Sequence, residues 1–256
     1  AKIHVFMKIL FRSLYRFGDY ILLLKKIFTT PDRWSEFFRR FKDEAYMLVI
    51  GSIAIVVTIS LFIGAVITIQ TQLNVSSPLL PAYTVGLVTR DTLLLEFSSS
   101  IMCLLLAGKI GSNIASEIGT MRVTEQIDAL DIMGVNSANY LILPKIAAMV
   151  VFIPVLVVFS MFSGLFGGYI VSAFTDIIPA SRYIYGLQSY FNEYYVWYTI
   201  IKSFFFAFVI SSVASYFGYR VKGGALEVGK ASTDSVVVSS VMILLLDVIL
   251  TKLLLQ

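Results

Sequence analysis

The segment AGKIGSNIASEIGTMRVTEQIDALDIMG, residues 107–134, is polar, charged and rich in glycine, and long apolar runs flank it on both sides. We call this segment the island. It is not expected in the hydrocarbon of a membrane, because its charged side chains would lose their hydration there. Over the whole chain 58% of the residues are apolar, 14% are charged and the mean hydropathy is +0.85. This composition predicts an integral membrane protein with the island outside the bilayer.

Five apolar runs around the island are long enough to cross a membrane as helices, which takes roughly 20 residues each. They are Ala45–Gln70, Tyr83–Gly108, Tyr140–Phe174, Val196–Phe217 and Thr233–Leu255. Pro144 and Pro154 leave the start and the continuity of the third run open. The sequence thus predicts an all-α membrane protein, in which residues 45–256 form a single domain of five transmembrane helices.

Lysine and arginine are distributed unevenly around these runs. Of the twenty, ten precede the first run, three flank or occupy the island, and three lie between the fourth and fifth runs. The other four lie on or near the opposite side. Because cytoplasmic flanks retain positive charge, we expect the N-terminus and the island inside and the C-terminus outside.

Residues 1–44 have the pattern of helices that lie in the membrane interface. Apolar residues recur every three or four positions, at Ile3, Phe6, Met7, Leu10, Leu14, Phe17, Ile21 and Leu24, with Lys8, Arg12, Arg16 and Asp19 opposite. Thr30 and Pro31 predict the N-cap and first residue of a second short helix, with Trp34, Phe37, Phe38 and Phe41 on its apolar side. The alternative is a basic leader that only sets the topology.

A further short helix is predicted inside the island, between Gly119 and Gly134. Thr120 or Thr124 can cap its start, and Gly134 is placed to end it. On a helical wheel one face carries Val123, Ile127 and Leu130, and roughly opposite lie Glu125, Asp128 and Asp131. The first face can pack on the membrane domain while the second presents acid to the cytoplasm. The alternative is an ordinary solvated helix without a partner.

The island carries a resemblance to a known family. Residues 117–130, EIGTMRVTEQIDAL, followed by Met133 and Gly134, resemble the signature of the MlaE (YrbE) family of permeases. A second block, from Gly218 to Ser239 with Asp247 further on, is similar to the closing segment of that family. Both motifs stand in the correct order and spacing, and the resemblance covers essentially the whole chain.

The resemblance implies the membrane subunit of an ABC transporter that works with mammalian-cell-entry (MCE) domain proteins. Two such permeases pair in the bacterial inner membrane, and each docks a cytoplasmic ATPase through a coupling helix. An MCE-domain assembly sits on the periplasmic face, and phospholipid or a related lipid is the cargo, in support of outer-membrane lipid asymmetry. The chain has no GxxxxGK[ST] phosphate loop, so ATP and Mg are expected on the partner ATPase. No metal, catalytic residue or nucleic-acid partner is expected.

By this resemblance the island holds the coupling helix. Its contact residues are then Glu117, Gly119, Met121, Arg122, Glu125, Gln126, Asp128 and Asp131. The lipid pocket is implied in the outer halves of the first two spans, lined by Ile69, Leu73, Leu80, Tyr83 and Glu96. Where the family has an Arg-Glu-Leu-Gly-Pro stretch, this chain has Leu95-Glu96-Phe97-Ser98-Ser99, which keeps only the glutamate. The choice of lipid is therefore not transferred from the family.

Three charged residues fall within the predicted spans, where an unpaired charge costs at least roughly 2.5 to 3.5 kcal/mol. The depths of Lys202 and Asp247 permit an ion pair, and Glu96 lies deeper, as in a wet cavity that faces substrate. Alternatively, Lys202 snorkels outward and Asp247 makes a local polar contact.

Two other classes of function compete with an ABC permease. An ATP-independent secondary transporter or channel for an amphipathic substrate would use such charges for ion coupling, but five spans without an evident internal repeat argue against it. An intramembrane hydrolase is less favoured, because the chain lacks an HExxH pair and its one histidine, His4, lies in the N-terminal helix.

Overall fold

The computed structural model describes residues 2–31, 33–75, 81–175 and 178–255, with side chains from residue 15 onward except Val49. These residues form eight helices, which are α1 (Lys2–Ile27), α2 (Trp34–Asn74), α3 (Thr84–Val123), α4 (Gln126–Ile132), α5 (Ser137–Phe174), α6 (Ala180–Gln188), α7 (Glu193–Tyr219) and α8 (Ala225–Leu255). Helices α2, α3, α5, α7 and α8 are long and apolar enough to cross a membrane. The predicted all-α class and the five spans are confirmed.

The second span is longer than its apolar run. Helix α3 continues past Gly108 to Val123, so the first half of the island is part of a membrane helix and not a loop. The continuation is stable because Ile110, Ile114 and Ile118 recur every fourth residue and are buried, and this part of α3 packs on α7 and α8. The island is therefore held rigidly to the second span.

The third span is a single helix. Helix α5 runs from Ser137 to Phe174 through both Pro144 and Pro154. The side chain of Asn136 caps its start by accepting a hydrogen bond from the Asn139 N–H at 3.3 Å. Each proline removes one backbone hydrogen bond, but α5 is packed against α2 and α7 over most of its length, and this packing maintains the helix.

The N-terminal region differs from its prediction at the start of α2 and in the continuity of that helix past residue 44. The side chains of residues 2–14, which carry much of the amphipathic pattern of α1, lie outside the described residues. The predicted helix start at Thr30 and Pro31 is wrong, because α2 begins at Trp34 and no side chain caps it. Asn139 donates to the Thr29 carbonyl at 2.6 Å and fixes this linker against α5. Helix α2 then runs through a π-helical turn, Ala45–Ile50, into the first span, so residue 44 marks no break.

At the opposite end of the bundle from the island, Arg90 is buried and joins α3 to the last turn of α6 and the residue that follows it. Its guanidinium donates to the carbonyls of Leu187 at 2.8 Å and Ser189 at 2.7 Å. In α6 itself, burial raises the pKa of Tyr183 to about 12, so its hydroxyl stays protonated and donates to the Leu165 carbonyl at 3.2 Å. These contacts hold α6 on the ends of α3 and α5.

Helices α2 and α5 approach closely at glycines, and this gives a first prediction. A Cβ atom at Gly64 would overlap the backbone carbonyl of Gly164. Gly64→Ala should therefore lower the free energy of unfolding by about 1 to 3 kcal/mol, measured as thermal unfolding in detergent. Gly51→Ala on the same helix is the control, since a Cβ there meets nothing within 4 Å. Equal stability of the two variants would contradict the close packing.

Candidate functional site

The island contains a short helix, α4, set off from α3 by a sharp turn. Glu125 adopts a left-handed conformation with φ of 61° and occupies the N-cap position of α4. The predicted caps do not form, because the hydroxyls of Thr120 and Thr124 each bond a carbonyl four residues earlier in α3. Gly134 ends α4 as predicted, with φ of 77° and the Val135 N–H bonded to the Leu130 carbonyl.

Polar contacts fix α4 to the helices around it. Arg122 at the end of α3 bonds Asp128 at 2.6 Å. Asp131 accepts a hydrogen bond from Ser137 of α5 at 2.7 Å and lies 3.8 Å from the ammonium of Lys26 in α1. The side chain of Ile127, on the inner face of α4, is fully buried. Helix α4 is thus a fixed projection at one end of the bundle.

The surface that α4 leaves open is more apolar than its sequence indicates. Asp128 and Asp131, expected to present acid, are already paired within the chain. Glu125 and Gln126 are exposed at the start of α4, and at its end Ile132 is 86% and Met133 67% exposed. The exposure of Ile132 and Met133 was not predicted from the sequence, because apolar residues in an amphipathic helix are usually assigned to its buried side.

Three of the predicted contact residues make contacts within the chain. Glu117 bonds the buried ammonium of Lys145 at 2.8 Å, and Glu44 of α2 bonds the same ammonium at 2.5 Å. Gly119 faces Val228 of α8 and Val221 just before that helix, and Met121 is partly buried against the core. We therefore leave Glu117, Gly119 and Met121 out of the contact surface proposed below. The Glu44–Lys145–Glu117 cluster joins α2, α3 and α5 near the island. From the sequence, Lys145 was used only to predict which side of the membrane the island faces.

The three intramembrane charges form one cluster. The Lys202 ammonium is fully buried and lies 2.5 Å from the Asp247 carboxylate and 3.5 Å from that of Glu96. It also donates to the Tyr198 hydroxyl at 3.0 Å, and Ser100 donates to Asp247 at 2.8 Å. Lys202 therefore does not snorkel outward, and Glu96 is not separate from the pair. Two carboxylates share one ammonium.

Glu96 lies in a π-helical segment of α3, Leu93–Ile101, and a second such segment follows at Ala107–Gly111. Segments of this kind locally widen a helix and are frequent at functional sites. The side chain of Glu96 is 43% exposed, in contrast to that of Lys202. Glu96 is the member of the cluster that is open to its surroundings.

The open side of the cluster belongs to a shallow surface that we call the trough. Helix α3 packs against both α2 and α8 and forms its floor at Glu96. Helix α2 presents exposed apolar residues at successive spacings of seven, four, three and four, namely Ile55, Phe62, Val66, Ile69 and Leu73. Ile55 lines a small cavity with Leu105, Leu106 and Lys109 of α3, on the island side of Glu96. Helix α8 forms the other side with Val237, Val241, Leu244 and Val248, all exposed.

The predicted pocket residues are divided between this surface and the end of the bundle. Ile69 and Leu73 belong to the α2 stripe, and Glu96 belongs to the floor. Tyr83 instead packs edge-on against Tyr185 of α6, with ring centroids 5.4 Å apart. Leu80 lies outside the described residues.

The chain is similar to a family of permeases and to several named relatives. The chain matches the family described as Permease MlaE over residues 41–253. A relative from Rickettsia bellii, named as a probable ABC transporter permease protein, is 35% identical over 81% of this chain and 80% of its own length. Relatives with the same description from Synechocystis sp. and Pyropia yezoensis are each 32% identical, over 80% and 84% of this chain and 78% and 81% of their own lengths. The chain belongs to the MlaE permease family.

Proposed function

We propose that this chain is the membrane subunit of an ABC transporter that moves phospholipid between the bacterial inner membrane and a periplasmic MCE-domain partner. In this role it supports the lipid asymmetry of the outer membrane. A separate cytoplasmic ATPase binds ATP and Mg and drives transport. Membership of the MlaE permease family supports the coarser part of this proposal, and the relatives named as ABC transporter permeases indicate the same class.

The observation that carries the proposal is the continuity of α3. One unbroken helix extends from the Glu96 cluster to the base of α4 at Val123, a distance of about 40 Å at 1.5 Å per residue. Because α4 is fixed to the end of this helix, a displacement of α4 by an ATPase is transmitted to the floor of the trough. A site for lipid and a site for the motor are thereby joined by a single rigid element.

Two copies of the chain complete the proposed lipid site. The α2 stripe, with its mixed spacings of three, four and seven, is typical of a helix face that packs on another helix. A second copy facing the trough would enclose Ile69, Leu73 and Glu96 between two sets of apolar walls. Lipid held there has its acyl chains against α2 and α8, with Glu96 as the polar group within reach.

The contact between α4 and the ATPase gives a second prediction. Reversing two acidic charges, as Glu125→Lys with Asp128→Lys, should sharply reduce co-purification of the ATPase, because the exposed acid is lost and Arg122 is left without its partner. Asp43→Lys, an exposed acidic residue at the base of α2, is the matched control. Undiminished co-purification with the double variant would remove these carboxylates from the contact.

Transport itself is tested in vesicles that contain the complete complex and a labelled phospholipid. We expect movement of the label only with hydrolysable ATP. If the chain alone moved the label when an ion gradient was applied, without its ATPase, the result would instead favour an ATP-independent secondary transporter.

A further inference from the structure

A cavity of about 510 Å³ lies at the island end of the bundle, away from the trough. It is enclosed by the first turns of α2, the end of α4 and the start of α5. Its lining includes Arg33, Phe37 and Arg39 from the α2 region, Leu130 and Met133 from the island, and Tyr140 from α5. None of these residues contributes to the intramembrane cluster.

The lining of the cavity combines charged and apolar side chains. Arg39 is paired with Glu36 at 2.7 Å, whereas the structure gives the Arg33 guanidinium no ion pair within the described residues. Arg33 and Arg39 are cationic and Glu36 is anionic, so these three side chains give the cavity one net positive charge. Phe37, Leu130 and Tyr140 add apolar side chains to the same lining. A ligand with an anionic group attached to hydrocarbon matches both kinds of side chain.

The position of the cavity indicates where such a ligand comes from. Trp34 and Phe38 project from the same turns of α2 and are both exposed. Exposed aromatic residues at the start of a membrane helix are typical of the headgroup layer. Because α2 continues without a break into the first span, the cavity lies at the level of the headgroups on the island side.

We propose that this cavity binds the headgroup of an anionic phospholipid of the cytoplasmic leaflet, as a site distinct from the transport path. Its phosphate oxygens accept hydrogen bonds from Arg33 and Arg39, and its glycerol and upper acyl carbons lie on Phe37 and Tyr140. A volume of this size is within the range of pockets that hold small ligands. Since Met133 lines the cavity and also borders the open face of α4, a bound lipid supports the surface that the ATPase approaches.

The test is native mass spectrometry of the detergent-solubilised complex with phosphatidylglycerol or phosphatidylcholine added at equal concentration. We expect retention of phosphatidylglycerol over phosphatidylcholine. Arg33→Gln with Arg39→Gln should weaken that retention about tenfold or more, because two charge-assisted hydrogen bonds are lost. Arg182→Gln, an exposed arginine at the opposite end of the bundle, is the control and should leave retention unchanged.

Two further variants address the fold and the size of the cavity. Arg33→Lys with Arg39→Lys keeps both charges and should retain most of the binding, so a loss of binding only in the double glutamine variant is not a folding defect. Val135→Trp keeps both arginines but fills the cavity, and it should also displace the lipid.

Several results would overturn the proposal. One is equal retention of the two lipids by the unaltered complex, or no effect of the glutamine variants. Another is competition by millimolar glycerol phosphate as effective as that of the lipid, which would indicate a site for a free phosphate ester. A third is retention of phosphatidylglycerol by the isolated chain but not by the complex, which would indicate that the ATPase covers the cavity. None of these results depends on whether the complex transports lipid.

Discussion

Lys202→Met is expected to destabilise the chain by about 3 to 5 kcal/mol and to abolish transport, because it leaves two carboxylates without their shared ammonium. Lys202 is fully buried, and it is the group that lies within ion-pair distance of both Asp247 and Glu96. In the variant at least one carboxyl must take up a proton or move into water, and both changes disturb the packing of α3 on α7 and α8. The change is measured as a lower thermal unfolding midpoint in detergent and as loss of ATP-dependent lipid movement in vesicles.

Three comparisons make this result specific. Lys252→Met alters an exposed lysine at the end of α8 and should be close to neutral. Asp247→Asn combined with Lys202→Met should recover part of the stability, since one of the two uncompensated charges is removed. Glu96→Gln should reduce transport more than stability, because that side chain is 43% exposed and bears on the trough. If Lys202→Met unfolded at the same temperature as the unaltered chain, the ion cluster would have no structural role.

The sequence was sufficient for features that depend on local pattern. The five spans follow from runs of apolar residues that water cannot solvate. Gly134 ends α4 because a residue with positive φ is needed there, and glycine adopts it without strain. The burial of Ile127 follows from the spacing of apolar residues around a helix. Each of these inferences uses only neighbours in the chain.

Other features depend on partners that are distant in the chain. Thr30 and Pro31 fit a helix start, but Asn139 of α5 holds the preceding residues in another conformation. Glu117 belongs to the polar island, where an exposed side chain is expected, yet it forms an ion pair with the buried Lys145 of α5. Lys202 and Asp247 were within reach of each other by depth alone, but inclusion of Glu96 required knowing how α3 and α7 are rotated. In each case a contact with a residue distant in the chain decided the conformation or the burial, and the local sequence pattern did not.

A second large effect is expected at the open face of α4, where Ile132→Glu with Met133→Glu should weaken binding of the ATPase by about 100-fold or more. Each side chain is more than half exposed, so the substitutions cost the fold little. Covering such a side chain with a partner contributes about 1.5 to 3 kcal/mol, and two together account for the expected loss. Binding is measured as the amount of ATPase that co-purifies with the tagged chain over a range of ATPase concentrations.

The dependence on salt separates this apolar contact from the acidic one formed by Glu125 and Asp128. Attraction between exposed charges weakens strongly between 0.1 and about 1 M salt, whereas apolar contacts do not. If Ile132 and Met133 supply most of the binding energy between α4 and the ATPase, the unaltered chain retains its ATPase at high salt. The Ile132→Glu, Met133→Glu variant then loses the ATPase even at low salt. Phe174→Glu, an equally exposed apolar residue at the far end of α5, should retain the ATPase under both conditions. An ATPase that leaves the unaltered chain at high salt yet binds the Ile132→Glu, Met133→Glu variant at low salt would show that charge, and not the apolar pair, holds the motor to α4.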